Sequence, residues 1–270
     1  MRFYFLFFAL LFAMALSAQS LNSDRPGQGF SPALIPQDAL QIQTGAGLFQ
    51  WRGPKSFDLQ DFASSTQLRY GLFDILEVQL HYDTDERVRA DYWPQDWESA
   101  FNERLALALR LAIVRKPVYQ LAFQAYHSVY QSQDDFFFIY SLQNQWTWGP
   151  SSLGLNLYIE SANYKEPYGF GLVMNYTHAW DRWQAYAEIV PFSPDWEGID
   201  NALANYNLGA AYLWTDAFQI DATFRLGRRF LSVHSEAESY DGEALLYGLE
   251  LGFTWRILSG KEEPLKTTTN

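Results

Sequence analysis

The sequence predicts an all-β fold: a membrane-spanning, antiparallel, up-and-down β-barrel of about twelve strands. Three observations predict it, namely strict apolar–polar alternation, connections that alternate between short and long, and a secretory leader. The clearest alternation lies in residues 69–83, RYGLFDILEVQLHYD, where Leu76 and Val78 point one way and Glu77 and Gln79 the other. In a membrane barrel, lipid covers the apolar face and the polar face lines the lumen.

The chain begins with an export signal. MRFYFLFFALLFAMALSAQS carries one arginine, an apolar run over residues 3–16 and then small residues, which predicts a signal peptide over residues 1–18. An N-terminal membrane anchor is the alternative, but the apolar run is shorter than the ~20 residues that a spanning helix needs. The mature chain is therefore expected to be exported.

Residues 19–38 are rich in Pro, Gly and Ser and are expected to form an irregular periplasmic segment. Phe30, Leu34 and Ile35 are apolar enough to anchor part of this segment. We therefore expect residues 24–36 to pack against or into the periplasmic mouth of the barrel, because contacts must offset the entropy of ordering them. A free tether is the alternative.

Alternating segments then follow one another to residue 257. In RLALALRLAIV (104–114), five large apolar residues occupy every second position, which a helix would not place on one face. The predicted barrel spans residues 39–257, and residues 258–270 form a polar C-terminal tail. The twelve predicted strands are 40–49, 64–72, 75–83, 104–114, 118–129, 136–148, 153–160, 168–178, 183–190, 205–213, 218–227 and 245–257.

The connections favour a barrel over a sandwich. Gaps after the even-numbered strands are short, whereas most gaps after the odd-numbered strands are long and polar. Short turns on one rim and long loops on the other are typical of barrels in the outer membrane of Gram-negative bacteria, and an even strand count places both ends in the periplasm. A soluble Greek-key sandwich has no reason to alternate in this way.

Composition excludes several classes of function. A formal net charge of −12 argues against nucleic acid as a partner, and the absence of cysteine excludes disulfides and cysteine metal sites. The 10 Trp, 17 Tyr and 21 Phe suit membrane–water interfaces, although an aromatic-rich sandwich core would also use them. No histidine pair has metal-ligand spacing, so no metal and no cofactor are predicted.

Four stretches resemble a bacterial outer-membrane family. They are SDRPGQGFSPALIPQDALQIQTG (23–45), LRYGLFDILEVQL (68–80), WQAYAEI (183–189) and LGAAYLWTDAFQIDATFRLG (208–227). The family is labelled "transporter" or phenol-degradation meta-pathway protein. The resemblance implies an outer-membrane barrel that passes hydrophobic or aromatic compounds, with Glu77, Glu188 and Asp221 at acidic positions of the family's motifs. The chain departs from many outer-membrane proteins in that a polar tail follows its last strand.

Parity along the strands predicts which charged residues line the lumen. The candidate solute path contains Arg69, Glu77, Arg110, Glu160, Glu188, Asp221, Arg225 and Glu250. These residues support a channel or transporter for small molecules, without energy coupling of its own. A structural or ligand-binding barrel with a lumen filled by side chains is equally compatible, because parity gives direction but not radius.

Other expectations concern chemistry and partners. An outer-membrane lipid-modifying enzyme is a weaker alternative, since none of the four histidines stands in a His-x-Ser-Asn arrangement; no catalytic residue is predicted. The expected partners are outer-membrane lipid, a small solute and the barrel-assembly machinery.

Arg69 and Glu77 flank the predicted turn at Phe73 symmetrically and share a face, so they are expected to form a bidentate pair near the periplasmic rim.

Overall fold

The computed structural model describes residues 21, 24, 30–53, 58–89, 100–131, 138–161, 169–192, 205–234 and 239–261. The predicted signal peptide (1–18) and the end of the predicted tail (262–270) lie outside these residues. Within the described ranges, no helix is long and apolar enough to cross a membrane.

The described chain contains twelve β-strands, as predicted. They are β1 Gln37–Arg52, β2 Asp58–Phe73, β3 Leu76–Arg89, β4 Ala100–Lys116, β5 Tyr119–Gln131, β6 Phe138–Trp148, β7 Ser151–Ser161, β8 Gly169–Trp180, β9 Trp183–Phe192, β10 Asn205–Thr215, β11 Phe218–His234 and β12 Ser239–Lys261. Most strands are longer than the alternation predicted, and the barrel runs from Gln37 to Lys261.

The strands form one closed antiparallel barrel. Each strand pairs with its neighbours in sequence, and β1 pairs with β12 over a long register that includes Leu48 opposite Leu249. Closure leaves no unpaired strand edge, which a spanning sheet requires because lipid offers backbone groups no hydrogen-bond partner.

The two faces of the wall are chemically opposite. On β4, Leu107 and Leu109 are 47% and 51% exposed on the outside, whereas Ala108 and Arg110 are 2% and 0% exposed on the inside. This pattern confirms the face assignment made from parity. Exposed tryptophans gather near the short turns, as an interfacial girdle requires; they are Trp146, Trp148, Trp180, Trp183, Trp214 and Trp255.

Five two-residue turns form one rim of the barrel. They lie at 74–75, 117–118, 149–150, 181–182 and 216–217. Gly149 (φ 55°) and Asp181 (φ 51°) adopt the left-handed conformation that tight hairpin turns use. The other strand ends lie at the opposite rim, so the short turns mark the end that the sequence predicts to be periplasmic.

Candidate functional site in the barrel lumen

A buried ion pair lies on the inner wall close to the short-turn rim. Arg69 on β2 donates from Nε to Glu77 Oε1 (2.6 Å) and from Nη2 to Glu77 Oε2 (2.9 Å), and both side chains are 0% exposed. The bidentate contact confirms the predicted pair. The register places Gly71 opposite Glu77 and Gln79 opposite Arg69, so the pair is diagonal rather than directly opposite.

A second buried arginine extends this pair into a four-residue cluster. Arg110 on β4 is directly across from Glu77 in the register, with Nη1 3.8 Å from Glu77 Oε1. Its Nη2 lies 2.7 Å from Asp24 Oδ2, and Arg69 Nη1 lies 3.6 Å from the same oxygen. Two carboxylates and two guanidiniums therefore neutralise one another inside the barrel.

Asp24 belongs to the N-terminal segment rather than to the wall. Burial raises the pKa of its carboxyl group, but the Arg110 and Arg69 guanidiniums and the Ser31 amide outweigh burial and lower the pKa to about 2. This contact stabilises the folded state above the ordinary pKa of an aspartate and is lost only as the pH falls through about 2. The segment is therefore held by a charged carboxylate at any physiological pH.

The backbone of the same segment is bound to the wall. The Ile35 amide donates to Glu77 Oε2 (2.9 Å), Arg69 Nη2 donates to the Ala33 carbonyl (3.2 Å), and Asn156 Nδ2 donates to the Phe30 carbonyl (2.9 Å). In its described residues, Asp24 and 30–36, the segment therefore packs into the barrel as predicted instead of forming a free tether.

Gly71 makes room for this segment. A Cβ atom at Gly71 would collide with the Pro36 carbonyl, so the wall needs glycine where the chain turns from the lumen into β1.

Buried glutamines complete the layer around the ionic cluster. Gln67 Nε2 donates to Gln79 Oε1 (2.8 Å), and Gln79 Nε2 donates to Glu77 Oε1 (2.6 Å). Arg110 Nε and Gln143 Nε2 both donate to Gln124 Oε1, at 2.9 and 2.8 Å. These contacts join side chains on the same strand or on neighbouring strands. Parity directs such side chains inward, but it does not give the strand register that decides which of them meet.

Two ion pairs on the inner wall farther from the short turns are partly exposed. Arg104 and Asp83 lie 3.1 Å apart with 33% and 24% of their side chains exposed, whereas Arg69 and Glu77 are 0% exposed. Arg225 and Glu250 lie 3.4 Å apart and are 18% and 17% exposed. The described lumen thus has a filled layer near the short turns. Beyond it, these charged pairs are partly exposed, whereas apolar side chains such as Phe49, Val190 and Leu246 are buried.

All eight residues of the predicted solute path lie on the inner face. Arg69, Glu77 and Arg110 meet in the filled layer, and Arg225 pairs with Glu250. Glu188 accepts a hydrogen bond from Asn207 Nδ2 (2.5 Å), Asp221 is buried on β11, and Glu160 is half-buried on β7. Their part in a solute path stays a prediction, because position alone does not test it.

The closed barrel, its apolar exterior and its polar lumen define a class: a transmembrane β-barrel of the bacterial outer membrane.

Among solved structures, the COG4313 outer-membrane channel from Pseudomonas putida F1 is similar at 12% identity, with a TM-score of 0.63, over 86% of this chain and 100% of that chain. The KdgM porin in complex with disordered oligogalacturonate is similar at 9% identity, with a TM-score of 0.50, over 79% of this chain and 98% of that chain. No protein-family model and no curated protein matches the chain.

Proposed function

We propose that the protein is an outer-membrane channel or transporter for small molecules, with no energy coupling of its own. Hydrophobic and aromatic compounds are the class to test first, because of the resemblance to the transporter family with the phenol-degradation label. The similar barrels whose names describe a channel and a porin support the channel reading.

The partly exposed ion pairs inside the barrel carry this proposal. Ionisable side chains are fully buried beside the N-terminal segment but partly exposed farther from the short turns, as at Arg104 and Asp83. A barrel filled only for stability would gain nothing from exposed charges inside, because burying apolar side chains there stabilises more than a hydrated pair does. We infer that solutes enter from the long-loop end.

The filled layer favours a second candidate, a structural or ligand-binding barrel that does not conduct. Arg69, Arg110, Gln124 and Gln143 are each 0–1% exposed, so the wall and the N-terminal segment together fill the described lumen at that level. In the channel proposal, the segment must shift before a solute passes. In the alternative, it never does.

We propose no enzymatic role. A Ser–His contact lies on the outer face near the short turns, where Ser151 Oγ is 2.9 Å from His178 Nδ1. Its hydroxyl also contacts the Tyr176 hydroxyl (3.0 Å), and in the described part of the chain His178 has no carboxylate to orient it. Hydrolytic catalysis needs such an orienting group, so an interfacial hydrogen bond explains the pair more simply.

Two further partners belong to the proposal. The exposed leucines and tryptophans of the outer face are suited to outer-membrane lipid, because they would otherwise expose a continuous apolar belt to water. We also propose that the barrel-assembly machinery inserts the chain, although β12 ends at Lys261 rather than on an aromatic residue.

Planar-bilayer recording of the purified mature protein tests the proposal. We expect stepwise conductance, because in this proposal a movement of the N-terminal segment out of the filled layer opens a path between the two sides. Insertion that is verified biochemically but remains electrically silent across voltage and pH would contradict the channel and favour the filled barrel.

A further inference from the structure

The wall's share of the four-residue ionic cluster carries an unbalanced charge. Arg69 and Arg110 contribute two buried guanidiniums, and Glu77 contributes one carboxylate. Of the described groups in this cluster, Asp24 supplies the second carboxylate, and it is the only one not fixed in a strand. A buried cation without a counter-charge is costly, so this place on the wall requires an anion.

The donors at this place are arranged for a carboxylate. Asp24 Oδ2 receives Arg110 Nη2 at 2.7 Å and Gln67 Nε2 at 3.3 Å, while Arg69 Nη1 lies 3.6 Å away. Arginine binds carboxylates best through two parallel N–H donors. Asp24 engages Arg110 through Nη2 alone.

Asp24 leaves part of this donor set unused. Arg110 Nη1 is buried and makes no hydrogen bond in the described structure. The other oxygen of Asp24, Oδ1, accepts from the Ser31 amide (2.9 Å) within the segment itself. A freely oriented carboxylate can therefore meet more of the wall's donors than Asp24 does.

An aromatic ring accompanies the carboxylate. The guanidinium carbon of Arg110 lies 6.0 Å from the centroid of the Phe30 ring, so the segment presents a carboxylate and a ring to one arginine. The guanidinium face attracts aromatic rings as well as anions. A small aromatic acid carries the same two groups in one molecule.

We propose that Arg69, Arg110 and Gln67 form a carboxylate-binding site in the lumen, that Asp24 occupies this site at rest, and that a carboxylate-bearing solute competes with Asp24 for it. The site deepens the proposed function and rests on it, because a competing solute must enter the lumen. Aromatic carboxylates are the preferred class, since they replace both Asp24 and Phe30.

Chemical rescue tests the site. Asp24→Ala leaves the wall's positive charge without its carboxylate and is expected to lower the apparent melting temperature of the full mature chain in detergent. Formate, acetate and benzoate are then added at equal ionic strength, with chloride as the reference anion. A carboxylate at about ten times its Kd shifts the folded-to-unfolded ratio about tenfold and raises the melting temperature by roughly 3–6 °C.

Two further variants make the result specific. Asp24→Asn keeps the shape of the side chain without its charge and serves if Asp24→Ala does not fold. The double variant Asp24→Ala/Arg110→Gln removes the excess charge and the main donor, so carboxylates should no longer raise its melting temperature. Benzoate is expected to act at a lower concentration than acetate in the single variants.

The outcomes separate this site from the proposed function. If carboxylates but not chloride raise the melting temperature of Asp24→Ala, the site is supported. If Arg110→Gln abolishes this rise, the site is assigned to Arg110. Equal rescue by chloride means non-specific screening and overturns the proposal, as does no rescue at all. The melting temperature does not depend on transport. If carboxylates raise the melting temperature but the protein shows no conductance in planar bilayers, the channel is rejected and the carboxylate-binding site stands.

Discussion

Replacing Leu107 with arginine is expected to destabilise the barrel by about 2–4 kcal/mol, the cost of arginine on a lipid face near the bilayer midplane. Leu107 lies near the middle of β4 and is 47% exposed on the outer face. An arginine side chain at this position has no polar partner in lipid. The strand cannot turn it inward without moving the neighbouring side chains to the wrong face. Heat-modifiability on gels and denaturant unfolding in lipid vesicles measure the loss.

Ser65→Arg is the matched control. Ser65 lies on the inner face of β2, is half-buried, and is opposite Asp83 in the register, so an arginine there has water and a carboxylate within reach. Ala108 is a poorer control because it packs against Ala106 and Tyr126 and has no room for a long side chain. Equal damage from Leu107→Arg and Ser65→Arg would contradict the assignment of the two faces.

Glu77→Gln is expected to cost about 3–5 kcal/mol, the range for breaking a buried ion pair by removing one partner. Three donors meet this carboxylate besides the Arg110 ion pair: the Arg69 guanidinium, the Gln79 amide and the Ile35 backbone amide. The substitution leaves Arg69 buried without its bidentate partner and also loosens the N-terminal segment. Equilibrium unfolding in lipid or detergent gives the free-energy difference.

A double-mutant cycle isolates the pair. Arg69→Gln/Glu77→Gln should lose clearly less than the sum of the single variants, with a coupling energy above ~1 kcal/mol, the upper limit typical of exposed pairs. The same cycle on Arg225 and Glu250 is the control, because that pair is 3.4 Å apart and partly exposed, and should show weaker coupling. A coupling energy indistinguishable from zero for Arg69 and Glu77 would mean that they act as separate charges.

The sequence was sufficient to predict the wall of the barrel. A strand's side chains alternate with a period of two, so Leu107 and Ala108 had to point to opposite faces wherever β4 lay. The same parity, with the position of one turn, brought Arg69 and Glu77 together. These are local rules that act over a few residues or across one hairpin.

Sequence reasoning could not predict the filling of the lumen. Asp24 and Arg110 are 86 positions apart in the chain, and no pattern in either neighbourhood links them. The glutamine contacts were missed for a different reason: they join neighbouring strands, and parity directs a side chain inward without giving the register that decides which side chains meet. The strand ends were also underestimated, because polar residues such as those of Thr84–Arg89 extend β3 without apolar alternation.

Solute uptake by proteoliposomes distinguishes a channel that its N-terminal segment occludes from a barrel that does not conduct, when the intact mature chain is compared with a shortened chain that begins at Pro36. The shortened barrel keeps every strand but lacks the segment that fills the layer beside Arg69 and Arg110. We expect slow or gated uptake of small solutes through the intact protein and markedly faster uptake through the shortened one, with both inserted to the same density. Equal uptake by the two proteins would contradict an N-terminal segment that occludes the path, and no uptake by a folded shortened barrel would contradict the channel itself.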